Sequence, residues 1–257
     1  MRVAELVDDF VAEREEITGM LDGLDERTLR LPTPAPGWSV HDQVTHLAWF
    51  DGAANLAITD PDRFRRERDE VMTDVDGFVE RVARDHRTMS SAEAIRWLRD
   101  EGSALTAATA AADPATRVPW YGPDMTVASS ITARIMETWA HGQDIADTFG
   151  IQRQPSDRLR HVAFIGWRAL PNSFRANGLP VPEQAVRVEV DSLVFGSQEA
   201  TNVVRGTALD FCLLVTQRRH LDDTALKAEG PIATQWLTIA QAFAGPPGAG
   251  RVAGQFA

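Results

Sequence analysis

The stretch TVASSITARIMETWAHGQDIADTFG, residues 126–150, decides how this chain folds. Asp124 or Thr126 offers a helix start, and Gly150 offers a left-handed stop just after Phe149. Inside the stretch, Glu137 and His141 are four residues apart, so a helix sends both side chains out of one face, a turn apart. Their neighbours Ile135, Met136 and Trp139 are apolar, which marks Glu137 as an interior carboxylate. A buried carboxylate is costly unless something positive faces it. The pair can clamp one cation, or it can be an ordinary i,i+4 pair on a helix surface; spacing alone leaves both open.

Working outward, residues 1 to about 28 place Val3, Leu6, Val7, Phe10, Ile17, Leu21 and Leu24 at helical spacing and predict a first helix. Pro32, Pro34 and Pro36 then force a loop, because proline removes donors and keeps the chain extended. Ser39 stands three residues before Asp42, a capping-box spacing, so a second helix is expected to about Ile58 with His46 two turns in. A helical region from about Asp62 to Ala112 is expected in two pieces, divided near Ser90 and Ser91. One further helix is expected from Ser156 to Phe174 or Asn177.

Beyond Pro182 the periodicity changes. Residues 185–190 alternate like a strand, residues 193–196 and 200–204 suggest a hairpin, and residues 207–218 and 232–243 read as helices. The expected fold class is therefore mainly α. A helical bundle over 1–180 is joined to a small α+β domain over 181–257.

Composition narrows the function. With 44% apolar and 25% charged residues, the chain has the balance of a globular protein. Its formal net charge of −11 disfavours nucleic acid as a partner, because that affinity comes from clustered Lys and Arg. No apolar run nears the roughly 20 residues needed to cross a bilayer, and residues 1–10 lack a signal-peptide core. No membrane association and a cytoplasmic location are expected, as monomer or homodimer. The single cysteine, Cys212, lies in an apolar helical stretch and reads as a buried inert thiol rather than a nucleophile.

Residues 38–50, WSVHDQVTHLAWF, together with residues 137–145, ETWAHGQDI, resemble the paired metal motifs of the DinB-like superfamily. More narrowly they resemble its mycothiol-dependent maleylpyruvate isomerase branch. That resemblance implies an up-and-down four-helix bundle carrying a His, Glu, His metal set, which falls on His46, Glu137 and His141. The glutamate discriminates, since many other members use three histidines. Residues 203–250 resemble an actinobacterial group of two-domain metal-binding proteins without an assigned reaction, whose second domain is like the C-terminal, sterol-carrier-like domain of the isomerases.

Around the three expected ligands, Asp42 and Asp144 each lie about one turn from a histidine and can orient its ring, while Asp42 is equally suited to capping its helix. His41 points roughly 140° away from His46 around the helix and falls outside the site. His86 and His161 read as solvated. Arg218 and Arg219 end a helix, where cations complement the dipole. By resemblance to the isomerase, which uses an arginine of its C-terminal domain, one of them grips a thiol or substrate carboxylate.

The first functional expectation is a thiol-dependent isomerase or S-transferase, with mycothiol as cosubstrate by resemblance and a divalent ion that lowers the thiol pKa. Zinc comes first, with Ni, Fe and Mn also suited to mixed nitrogen and oxygen ligands. The partners are then a small-molecule thiol and an electrophile. Two rivals stand beside it. One is a non-catalytic module in which Trp38, Trp49, Trp120 and Trp139 line an apolar pocket; the other is a hydrolase using activated water, for which no separate general base stands out.

Overall fold

The structure is a computed structural model describing residues 3–72 and 77–256. The chain divides into two compact units, Met1–Arg153 and Gln154–Ala257. In the first, four long helices form the core: α1 (Val3–Leu21), α3 (Val40–Thr59), α6 (Ser91–Ala111) and α7 (Val127–Phe149). The short α2 (Glu26–Leu29), α4 (Pro61–Val71) and α5 (Phe78–Asp85) fill the connections, and β1 (Arg117–Val118) pairs antiparallel with β2 (Met125–Thr126) just before α7.

The helix starts follow their side chains. Ser39 and Asp42 complete the expected capping box of α3, Ser90 and Glu93 build another on α6, and Thr126 caps α7 by accepting from the Ser129 amide. Gly150, at φ 65°, ends α7 in the left-handed conformation that a Cβ disfavours. The expected first helix is shorter. It stops at Leu21, Gly23 adopts φ 75°, and Asp25 caps the separate α2. The expected helix beginning near Asp62 is α4 and α5, and residues 73–76 of that expectation lie outside the described residues.

Helix direction follows from which residues share a core. Ile17, Leu21, Val44, Leu47, Leu98 and Ile145 pack at one level, and Leu6, Phe10, Ala54, Leu105, Ile131 and Ile135 at the other. Thus α1 and α7 run one way, α3 and α6 the other. The bundle is up, down, down, up, where simple up-and-down alternation was expected. The segment from Asp60 to Ser90 is long enough to carry the chain back along the bundle, so α6 can run parallel to α3.

Between the two apolar levels lies a charged layer. Asp51 on α3 accepts from Arg14 of α1 and from Arg134 Nε of α7 at 2.9 Å, and Arg14 also donates to the Leu98 carbonyl of α6. All three side chains are buried. Buried charges persist only when paired and hydrogen-bonded, and here one carboxylate ties three helices together.

The second unit contains α8 (Leu159–Arg168), α9 (Leu170–Ala176), α10 (Ala208–Val215), α11 (Pro231–Leu237) and a four-stranded sheet. Its strands β3 (Val186–Val190), β4 (Leu193–Phe195), β5 (Asn202–Gly206) and β6 (Lys227–Glu229) lie in the order β4-β3-β5-β6. The expected hairpin between residues 193–196 and 200–204 does not form. Both segments flank β3 instead, β4 antiparallel and β5 parallel. The valines of β3 alternate inward and are buried, as are Phe211, Val215 and Trp236 of the same unit.

The division falls at 153/154, well before the boundary expected at 180. Turn chemistry at Asn177–Pro180 marks the end of a helix, whereas α8 packs into the second core: Gly166 faces Val215 too closely for a Cβ, Cys212 Sγ contacts the Leu159 carbonyl at 3.5 Å, and Trp167 Nε1 donates to Val186 O at 3.1 Å. Arg153 closes the first unit through Glu13, Glu16 and the Trp139 carbonyl.

Candidate metal centre

His46 on α3 faces Glu137 and His141 on α7, and one ligand atom from each lies within 4.8 Å of the others. His141 Nε2 is 3.3 Å from Glu137 Oε2, and His46 Nε2 is 3.8 Å from the same oxygen. Bonds of about 2.0–2.1 Å to one tetrahedral ion separate its ligand atoms by roughly 3.3 Å, which the His141–Glu137 separation matches and the His46–Glu137 separation exceeds. The i,i+4 pair is not a surface pair. Side-chain exposure is 8% for His46, 12% for His141 and 25% for Glu137, so the carboxylate is the accessible member.

Aromatic rings wall the histidines. Trp38 stands edge-on to His46 at 5.2 Å and stacks over His141 at 5.9 Å, while Phe50 lies 4.6 Å from His46. Burial, with the nearby His141, pulls the His46 pKa from 6.5 to about 3, outweighing the attraction of Glu137. His46 is therefore neutral at physiological pH, the form that ligates a metal. Burial pushes the Glu137 carboxyl up, but hydrogen bonding by the histidines and the charges of His141 and Arg134 hold it well below the usual carboxylate range. It is ionised.

Of the residues expected to orient the ligands, Asp42 is engaged elsewhere. Its Oδ2 accepts from the Ser39 amide and hydroxyl, and its Oδ1 accepts from Arg87 Nε at 3.0 Å. His46 Nδ1, meanwhile, has no hydrogen-bond partner. Asp144 is fully buried one turn beyond His141, but the His141 Nδ1 contact belongs to Gln43 Oε1. Sequence reasoning missed Gln43. It precedes His46 by three residues and shares its helix face, a signal that Asp42, at four residues, matched equally well. Arg134 was also missed, although its place between Ile131 and Ile135 marks a buried cation.

The remaining residues singled out in the sequence make local contacts. His41 Nε2 contacts the Met89 carbonyl at 3.0 Å, away from the cluster as expected. His161 is buried rather than solvated, because it lies on the core face of α8. Cys212 is buried as expected, and loss of solvent pushes its thiol well above the usual range. Arg218 Nη1 donates to Thr216 O and Arg219 Nη1 to Arg218 O, each at 2.7 Å, and the Arg219 guanidinium lies 4.1 Å from the Phe256 ring. These contacts lie within the second unit. No described helix is long and apolar enough to cross a membrane.

Fold and cluster together define a mainly helical protein of two units whose bundle brings two imidazoles and a carboxylate to one point. Residues 10–146 match the family model described as the mycothiol maleylpyruvate isomerase N-terminal domain, and the chain belongs to that family. It is 40% identical over 250 residues to uncharacterized proteins from two strains of Mycobacterium tuberculosis, covering 95% of this chain and 97% of each relative. Among solved structures it is similar in fold to the mycothiol-dependent maleylpyruvate isomerase and to a histidine-to-alanine mutant of that enzyme. The TM-score is 0.59 for both, at 13% and 14% identity, over 90% of this chain and 95% of those.

Proposed function

We propose that this protein is a metal-dependent enzyme that uses a low-molecular-weight thiol, mycothiol by family, to isomerise a small electrophile or to form an S-conjugate with it. The observation that carries the proposal is the convergence of His46, Glu137 and His141 donor atoms in a partly enclosed site. A divalent ion held there, zinc first by the donor set, lowers the pKa of a bound thiol so that it reacts as thiolate near neutral pH.

The chain's own residues favour an anionic ligand. An imidazole ligates a metal as a neutral donor, so with Glu137 as the one anionic ligand the donor set around an ion carries a single negative charge. Arg134, buried one turn before Glu137 on α7, adds positive potential to the same place. Trp38 and Phe50 exclude water from the histidines, which strengthens each of these interactions. Glu137, the most exposed of the three, leaves the approach for the thiol and the electrophile.

A thiolate adds to a double bond conjugated with a carbonyl, the resulting single bond rotates, and loss of the same thiolate returns the isomer with the thiol regenerated. Transfer without the elimination gives the S-conjugate. Arg218 and Arg219 remain the candidates for holding a substrate carboxylate.

The test combines elemental analysis of the purified protein with turnover of a panel of conjugated alkenes, with and without mycothiol and with and without chelator. One bound divalent ion per chain and turnover that needs both thiol and ion are expected. Turnover that ignores the chelator, or that proceeds equally well without thiol, overturns the proposal.

A further inference from the structure

We propose that Gln43 and Thr33 are positioning residues that hold His141 in its Nδ1-protonated tautomer, leaving the Nε2 lone pair directed at the ligand site; this rests on the metal reading of His46, Glu137 and His141. The chain of hydrogen bonds leaves little freedom. The Trp38 carbonyl oxygen can only accept, and it takes the Thr33 hydroxyl proton at 2.9 Å together with the Thr33 amide at 2.8 Å. With its proton committed, Thr33 Oγ1 accepts from the Ala35 amide at 3.3 Å and from Gln43 Nε2 at 3.0 Å. The amide group of Gln43 must therefore present its oxygen on the opposite side, where it meets His141 Nδ1. An oxygen cannot donate, so Nδ1 carries a hydrogen, and Nε2, 3.3 Å from Glu137 Oε2, is the nitrogen left to offer its lone pair to an ion. Flipping the Gln43 amide would set acceptor against acceptor at Thr33 and donor against donor at His141.

The relay ends in backbone rather than solvent. The three-proline loop is closed by Trp38 N to Ala35 O at 3.1 Å, by Val40 N to Leu31 O at 3.0 Å and by the bridge between Pro32 and Ser39, with Gly37 at φ 80° making the turn. One rigid loop thus delivers both Thr33, which orients Gln43, and Trp38, which packs on both imidazoles. His46 has no counterpart on that side of its ring: its Nδ1 is buried without a hydrogen-bond partner, and Trp38 and Phe50 pack against the ring.

Long-range proton–nitrogen NMR of the metal-free protein, labelled at histidine nitrogen, reads the tautomer directly near neutral pH. The wild type is expected to show His141 with hydrogen on Nδ1. In Gln43→Leu the acceptor is gone, so the ring should move to the Nε2-protonated form and zinc affinity should fall about 10–100-fold, the usual consequence of losing a partner that orients a ligand. Gln43→Glu keeps an acceptor and should keep the tautomer. Thr33→Val should give a mixture, because the amide is then free to flip, and it remains informative if Gln43→Leu does not fold. A wild-type His141 without a hydrogen on Nδ1, or a protonation pattern indifferent to both Gln43→Leu and Thr33→Val, overturns the relay. A tautomer that responds as expected in a protein that binds no Zn2+ upholds the relay and overturns the metal reading instead.

Discussion

His46 stores a pH dependence. Its pKa is lowered from 6.5 to about 3 in the folded protein, so below 6.5 the unfolded chain binds a proton that the native state does not. Stability of the metal-free protein should therefore fall as pH drops through that window, by about 1.4 kcal/mol per pH unit from this group, with no contribution above 6.5. Denaturant unfolding between pH 6.5 and 5 in chelator should show a shallower slope for His46→Leu than for wild type; equal slopes would mean that His46 is not held neutral. The arginines make a second prediction at this scale. If Arg218 or Arg219 binds a substrate carboxylate, its replacement by alanine should raise KM at least tenfold for a carboxylate-bearing electrophile and leave an uncharged one unaffected. Steady-state kinetics of the two variants decides it.

Among elements, α6 depends on a missing side chain. Gly102 sits where a Cβ would collide with the Arg14 guanidinium, which bridges Asp51 and the Leu98 carbonyl. Gly102→Ala should expel that guanidinium and leave part of a buried charge unpaired, costing on the order of 3–5 kcal/mol despite alanine's better helix propensity. Urea titration measures the loss, and a stabilised variant would refute the role given to the charged layer. The helix ends were legible beforehand, since the capping pair of Ser39 with Asp42, a cap at Ser90 or Ser91 and the Gly150 stop act within a few residues of sequence. The pairing of β5 with β3 was not. The alternation of a strand fixes which side chains face inward but does not name its neighbour.

For the molecule as a whole, ligand occupancy and stability are linked. An ion at a free concentration about 100 times its Kd adds about 2.7 kcal/mol, which for a chain of this size raises Tm by roughly 5–10 °C. Calorimetry should show chelator lowering Tm by that amount in the wild type and by little in Glu137→Gln, where the anionic donor is lost. An unchanged wild-type Tm would count against a bound ion.

Sequence by itself determined the helical class, the helix caps and the one-turn spacing of Glu137 and His141, because these depend on residues at most a few positions apart. Family resemblance added His46 and the bundle. Tertiary structure alone decided the up, down, down, up order, the division at 153/154, the engagement of Asp42 by its cap and by Arg87, and the selection of Gln43 as the partner of His141. Each of those depends on which distant segment arrives beside a given side chain, and packing settles that arrival where local pattern leaves several candidates equal.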